Sequence, residues 1–277
     1  AVSVQHAARH DDSYTTDRPV PSRQAVTTWT PIDCHAHTKM SDGELSIEEL
    51  IETVRARGVR PSIADHLSTD VSLAVKSVDA VREYLDALEP YDVARGGEFC
   101  WHDTLWREIH EDLMSRFTHL IGSLHAVRVC REKQWVSMFQ RTLPDELTPV
   151  TYMMQHIEEL ERMADDMPVD ILAHPTLLAL PMRTLPVDEL WTEALEERLV
   201  EALFRAGIAF EISNRYRPHE RLVQRAHDRG VRLSLGSDGH TRAQVGDIAF
   251  PLEMAKRVGA AESALYDPYV HGTRAAR

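Results

Sequence analysis

PIDCHAHTKMSDG, Pro31–Gly43, holds the first concentrated chemistry in the chain: His35-X-His37, a short polar turn, then Ser41-Asp42-Gly43. In an extended strand alternate side chains share a face, so Asp33, His35 and His37 can point the same way. Two imidazoles on one side of a strand end suit a divalent cation, because neutral imidazole nitrogen is a common ligand. Alone the pair is a weak signal. It gains weight because comparable pieces recur downstream: Ala64-Asp65-His66, Gly97-Glu98, Ser123-Leu124-His125, Ala173-His174-Pro175 and Ser237-Asp238-Gly239-His240.

Those pieces fall at regular places. Ser46-Ile47-Glu48-Glu49 has capping-box form, Ile47, Leu50, Ile51 and Val54 follow helical spacing, and Gly58 supplies a stop. Arg60–Ala64 then reads as a strand ending at Asp65-His66. Helices are expected around Val78–Leu88, Leu105–Met114, Tyr152–Met163, Leu190–Ala206 and Glu220–Arg229. The strands between them are Tyr91–Gly97, His119–Ser123, Asp170–Ala173, Ile208–Ile212 and Val231–Gly236, with one long interruption at Arg128–Thr148. The count is seven strand-helix units, six of which end in a candidate ligand. In a parallel α/β barrel the C-terminal strand ends converge on one face. An open doubly wound sheet spreads them along a line. The expectation is therefore α/β, a distorted, TIM-like seven-stranded (β/α) barrel with its metal site at the strand C-terminal ends.

Composition narrows the class. No run approaches 18 apolar residues, so a transmembrane helix is not expected, nor is a secretory signal visible. The net charge of −13 argues against extended nucleic-acid binding, although cations in a cleft could still reverse the local field for an anionic substrate. Cys34, Cys100 and Cys130 make no disulfide framework, and a cytoplasmic location is the expectation. Residues 1–28, including His6 and His10, are polar and unpatterned and read as a flexible arm; residues 29–277 read as one barrel domain.

Taken in order, His35-X-His37-X4-Asp42-Gly43, Asp65-His66, Glu98, Ser123-X-His125, His174-Pro175 and Asp238-X-His240 resemble the polymerase and histidinol phosphatase (PHP) family, over about residues 31–248. That resemblance implies a metal-dependent phosphoesterase with two or three divalent ions (zinc, manganese or iron). The first ion would take His35, His37, Glu98 and Asp238; the second would share Glu98 and add His125 and His174; the third would take Asp42, His66 and His240. Glu98, Asp238 and His240 would carry catalysis, through water activated by the ions. Asp42 stands where some relatives carry His, which favours harder ions such as manganese. Asp33 and Asp65 are candidates to orient imidazoles from behind.

The stretches Gly96–Val127 and Phe210–His240 look most like the histidinol-phosphate phosphatase branch, with a compressed loop between Asn214 and Pro218. A small phosphate monoester is thus the expected substrate, histidinol phosphate first. Arg128, Arg215 and Arg217 follow strand ends and are candidates to bind phosphate. His102 and His219, in loops on the same face, are candidates to meet the leaving group. An alternative is a nucleotide or oligonucleotide phosphatase or phosphodiesterase, for which Trp101, Trp106 and Trp135 would supply aromatic surface. A further alternative is a non-catalytic metal-binding module. Neither a phosphate-cradling Gly-rich loop nor a spaced Cys pair is present.

Overall fold

The structure is a computed structural model of the 277-residue chain and describes residues 29–129 and 134–274. The proposed N-terminal arm, with His6 and His10, and Cys130 lie outside the described residues. The architecture is α/β with a mostly parallel central sheet.

Ten strands occur among the described residues: β1 Ser62–Ile63, β2 His66–Leu67, β3 Ala94–Arg95, β4 Glu98–Cys100, β5 Ile121–Ser123, β6 Ala126–Val129, β7 Gln134–Ser137, β8 Ile171–Leu172, β9 Ala209–Ser213 and β10 Leu233–Gly236. The main sheet runs β10-β9-β8-β5-β4-β2, every neighbouring pair parallel. β1 pairs in parallel with β3, so β1 leads into β2 beside β3 leading into β4. The segment carrying the His-X-His pair bonds to both sides of this array. Arg60 N donates to Pro31 O (2.8 Å) and Ala64 N to Ala36 O (2.9 Å), while Cys34 N donates to Leu235 O (2.8 Å) and Asp238 N to His35 O (2.8 Å).

Local sequence accounts for the crossover helices. Ser46 accepts from Glu49 N and the Glu49 carboxylate accepts from Ser46 N, so the expected capping box starts helix Ile47–Ala56. Helix Val78–Leu88 buries Val81, Tyr84, Leu85 and Leu88, one face at helical spacing. Helices Glu193–Ala206 and Glu220–Arg229 stop at Gly207 (φ 69°) and Gly230 (φ 87°), where a left-handed backbone favours glycine.

Three expectations need correction. The helix expected over Leu105–Met114 is two short helices, Leu105–Glu108 and Glu111–Met114, because Ile109 and His110 are extended between them. The one expected over Leu190–Ala206 breaks at Trp191-Thr192, where Thr192 caps a new start by accepting from Leu195 N. The interruption expected at Arg128–Thr148 overlaps an antiparallel pair of strands, β6 and β7, with Val127 opposite Val136, both buried.

Asp170 ties the foot of β8 to its surroundings. Its two oxygens accept from Leu120 N (2.7 Å) and Arg274 N (2.6 Å). An Asn there would turn its NH2 toward one of those N–H donors, so Asp170→Asn should cost about 1–3 kcal/mol. Burial also pushes the Asp170 carboxyl up to about 6 from 3.8, so the folded chain binds that proton more tightly than the unfolded one. This contribution to stability is full below pH 3.8 and lost as the pH rises through 6. Urea melts across that range should show the Asp170→Asn variant losing this part of the slope.

Candidate metal centre

Strand geometry gathers the ligands. β2 and β4 are in register with His66 beside Glu98, and the next strand, β5, leads into His125. His174 follows β8, and Asp238 and His240 follow β10. His174 (φ 29°) and Asp238 (φ 50°) are the only described non-glycine residues with positive φ. A conformation so rarely populated persists only where the surroundings impose it, and both sit at strand ends facing the cluster.

All nine expected ligand side chains come together. Three groups have mutually close donor atoms that could hold an ion: His35, His37 and Asp238; Glu98, His125 and His174; and His37, Asp42, His66 and His240. Glu98 is the hub. Its Oε1 lies 3.2 Å from His174 Nε2 and 3.6 Å from His125 Nε2; its Oε2 lies 3.5 Å from His35 Nε2 and 2.6 Å from His66 Nδ1. The resemblance put His37 with the first ion alone. In the structure its Nε2 faces Asp238 (3.5 Å) while its Nδ1 faces Asp42 (3.7 Å), so the ring stands between two groups.

The donor set fits divalent cations. His35 Nε2 and His37 Nε2 face each other at 3.1 Å. Glu98 Oε2 and His66 Nδ1 approach to 2.6 Å, yet both lack a hydrogen-bond partner. Lone pairs crowded on a common point, with no donors to satisfy them, are what a cation would relieve. Protonation reflects the same crowding. Burial would raise the Glu98 carboxyl, but His66 and His35 hold it well below the usual range. Burial would lower His66, but Glu98, Asp42 and Asp238 push it up to about 9. Burial would also raise Asp42, but the His240 hydrogen bond and the charges of His66 and His37 pull it down to about 2. Burial, reinforced by neighbouring imidazoles, keeps His37 well below its ordinary value and brings His125 to about 3, neutral as a ligand must be.

A cavity of about 500 Å³ opens over the cluster, with Asp70 and His102 also on its wall. Of the expected phosphate binders, only Arg215 lines it, with Nη1 2.7 Å from His240 Nδ1. Arg217 instead stacks over Phe250 (4.9 Å) and donates to Asn214 O, and His219 pairs with the buried Glu196 at 2.6 Å. Arg128 sits on β6, outside the lining. Trp101 and Trp106 stack on each other within the core, so they do not supply the aromatic surface a nucleotide would want. Asp33 and Asp65 do not orient imidazoles. Asp33 accepts from the backbone N–H of His35, Ser237 and Gly246, and Asp65 from Thr38 N and Ser41 Oγ, so they brace the loops instead. Sequence reading missed Tyr216 and Phe139 on the cavity wall, and Glu211, which touches His35 from behind. Only Glu211 left a signal, a lone acid inside the apolar strand AFEIS.

The chain is similar in sequence to one known protein and in fold to another. The chain is 25% identical over 225 residues to the "Probable histidinol-phosphatase" of Thermotoga maritima, covering 78% of this chain and 86% of that one. It shares its fold with the histidinol phosphate phosphatase (HisK) of Lactococcus lactis subsp. lactis, solved in complex with zinc, L-histidinol and phosphate. The TM-score is 0.63 at 16% identity, over 84% of this chain and 95% of that one. No family model matches the chain. No described helix is long and apolar enough to cross a membrane.

Cations bound only by the folded cluster must stabilise it. Zinc or manganese at a hundredfold excess over its dissociation constant should add about 2.7 kcal/mol per site, read as a rise in Tm that EDTA reverses.

Proposed function

We propose that the protein is a metal-dependent phosphomonoesterase that hydrolyses a small phosphate ester, with histidinol phosphate as the first candidate. The observation that carries this reading is the cluster of nine ligand-type side chains, eight of them gathered around the buried Glu98 carboxylate, at the floor of an open cavity. We propose two or three ions, held by the three groups, with Glu98 as bridge. Zinc, manganese and iron all suit imidazole with carboxylate, and Asp42 leans the third group toward manganese.

Divalent cations at such a site lower the pKa of water and offset the charge that builds on a phosphoryl group. The chain's own residues supply the rest. Glu98 and Asp238 hold the groups at fixed spacing. Arg215, 40% exposed at the rim, can turn its guanidinium onto a phosphoryl oxygen. His240, partly buried between Asp42 and Arg215, would hold an ion with the third group, and Arg215 fixes its ring from the Nδ1 side.

We also propose that residues 29–277 form one domain and that the opening segment completes a seven-stranded ring. Its hydrogen bonds on both sides support this. So does a second core cluster that unites Ile32 and Cys34 of that segment with Ala94 on β3, Ile121 on β5, Ile171 on β8 and Ala209 on β9.

A phosphate-release screen tests the function, using histidinol phosphate, nucleoside monophosphates and a phosphodiester with manganese, zinc and iron in turn. Histidinol phosphate should turn over fastest; release from the diester or nucleotides alone would replace this reading. Glu98→Gln should lower kcat by at least about 100-fold, and retained turnover would discard the bridge. Arg215→Met should raise KM by about tenfold, the worth of one hydrogen bond to a charged group, with a smaller change in kcat.

A further inference from the structure

Glu211 lies in the middle of β9, between Phe210 and Ile212, and is fully buried. Its two oxygens do different things. Oε1 is 2.7 Å from His35 Nδ1, and Oε2 accepts from the backbone N–H of His174 at 2.5 Å. His35 belongs to the group with His37 and Asp238, and His174 to the group with Glu98 and His125. One carboxylate therefore braces two separate ligand groups, one through a ring and the other through the main chain.

We propose that Glu211 is a positioning residue that sets the geometry of two of the three ion-binding groups at once. This rests on reading the cluster as a metal site. A carboxylate against Nδ1 places the ring proton there and leaves the Nε2 lone pair for the ion, 3.1 Å from His37 Nε2 and 3.5 Å from Glu98 Oε2. The bond to His174 N holds the one backbone in the cluster at φ 29°, which aims that imidazole at Glu98 Oε1. The third group, Asp42, His66 and His240 with His37, makes no contact with Glu211 among the contacts described.

The adjoining strand is shaped to admit this carboxylate. A Cβ on Gly236 would stand 2.1 Å from Glu211 Oε1 and 3.1 Å from the His35 Cβ. Any side chain at 236 would push the carboxylate off the ring. The backbone of β10 pairs with β9 at this level, Gly236 beside Ser213 and Leu235 beside Ile212, so it cannot retreat without breaking the ladder.

The test is zinc binding with nitrogen-15 histidine spectra, read independently of turnover. In the zinc-loaded wild type, His35 should carry its proton on Nδ1, with a hydrogen-bonded ring-proton resonance. In Glu211→Gln, that resonance should move. Chelator competition should show the binding steps assigned to the His35 and His174 groups weakened by about 10- to 100-fold, with the Asp42 group unchanged. Should Glu211→Gln fail to fold, Gly236→Ala displaces the same carboxylate and should give the same selective loss. A wild-type spectrum with His35 coordinating through Nδ1 overturns the proposal without any variant. So does a folded variant in which every step is unchanged, or in which all weaken equally. A wild type that takes up no zinc sinks the metal-site reading instead, so the two failures are distinguishable.

Discussion

A buried carboxylate cannot stay ionised without positive charge or hydrogen-bond donors around it, and Glu98 is fully buried among five imidazoles. Much of the upper half of the molecule follows from satisfying that one group. His66 stands beside it in register on the neighbouring strand, and His125 and His174 arrive from the ends of the next two. His35 and His37 come from the segment that bonds to strands on both sides. Against burial, which would lower His66 and raise Glu98, the charge of each pushes His66 up and holds Glu98 down.

The strain in the molecule is placed where the same need is greatest. His174 and Asp238 adopt left-handed backbones at the mouths of β8 and β10, and each turns a donor toward the cluster. Bracing is supplied from below by acids that touch no cavity. Asp33 gathers backbone N–H groups from residues 35, 237 and 246, which ties the first and last ligand loops together. Asp65 does the same for the turn that carries Asp42. Asp103 accepts from Ser68 Oγ and Thr69 Oγ1, which steadies the loop that presents Asp70 to the cavity. Buried acids of two kinds thus coexist within a few residues of one another: those aimed at the cluster and those spent on backbone amides.

The match between expectation and structure follows interaction range. Capping at Ser46, the buried stripe of Val78–Leu88 and the stops at Gly207 and Gly230 are decided within a turn of chain, and all appear as read. The split at Ile109-His110 and the pairing of β6 and β7 are not local. Val127 and Val136 pair between two strands, and short alternating runs carry little periodic signal. Arg217 and His219 follow a strand end just as Arg215 does. Only packing against Phe250 and Glu196 takes them away from the cavity.

The sequence by itself determined the parallel α/β class and the identity of the cluster-forming side chains, because ligands at the ends of successive strands form an ordered pattern that needs no coordinates. Tertiary structure alone decided which acids face the cluster and which face the backbone, that His37 stands between two groups, and that Glu211 backs His35. The physical reason is direction. Spacing along a strand says which face a side chain leaves from, but the partner it meets lies on another strand, which for His35 and Glu211 is 176 residues further along the chain.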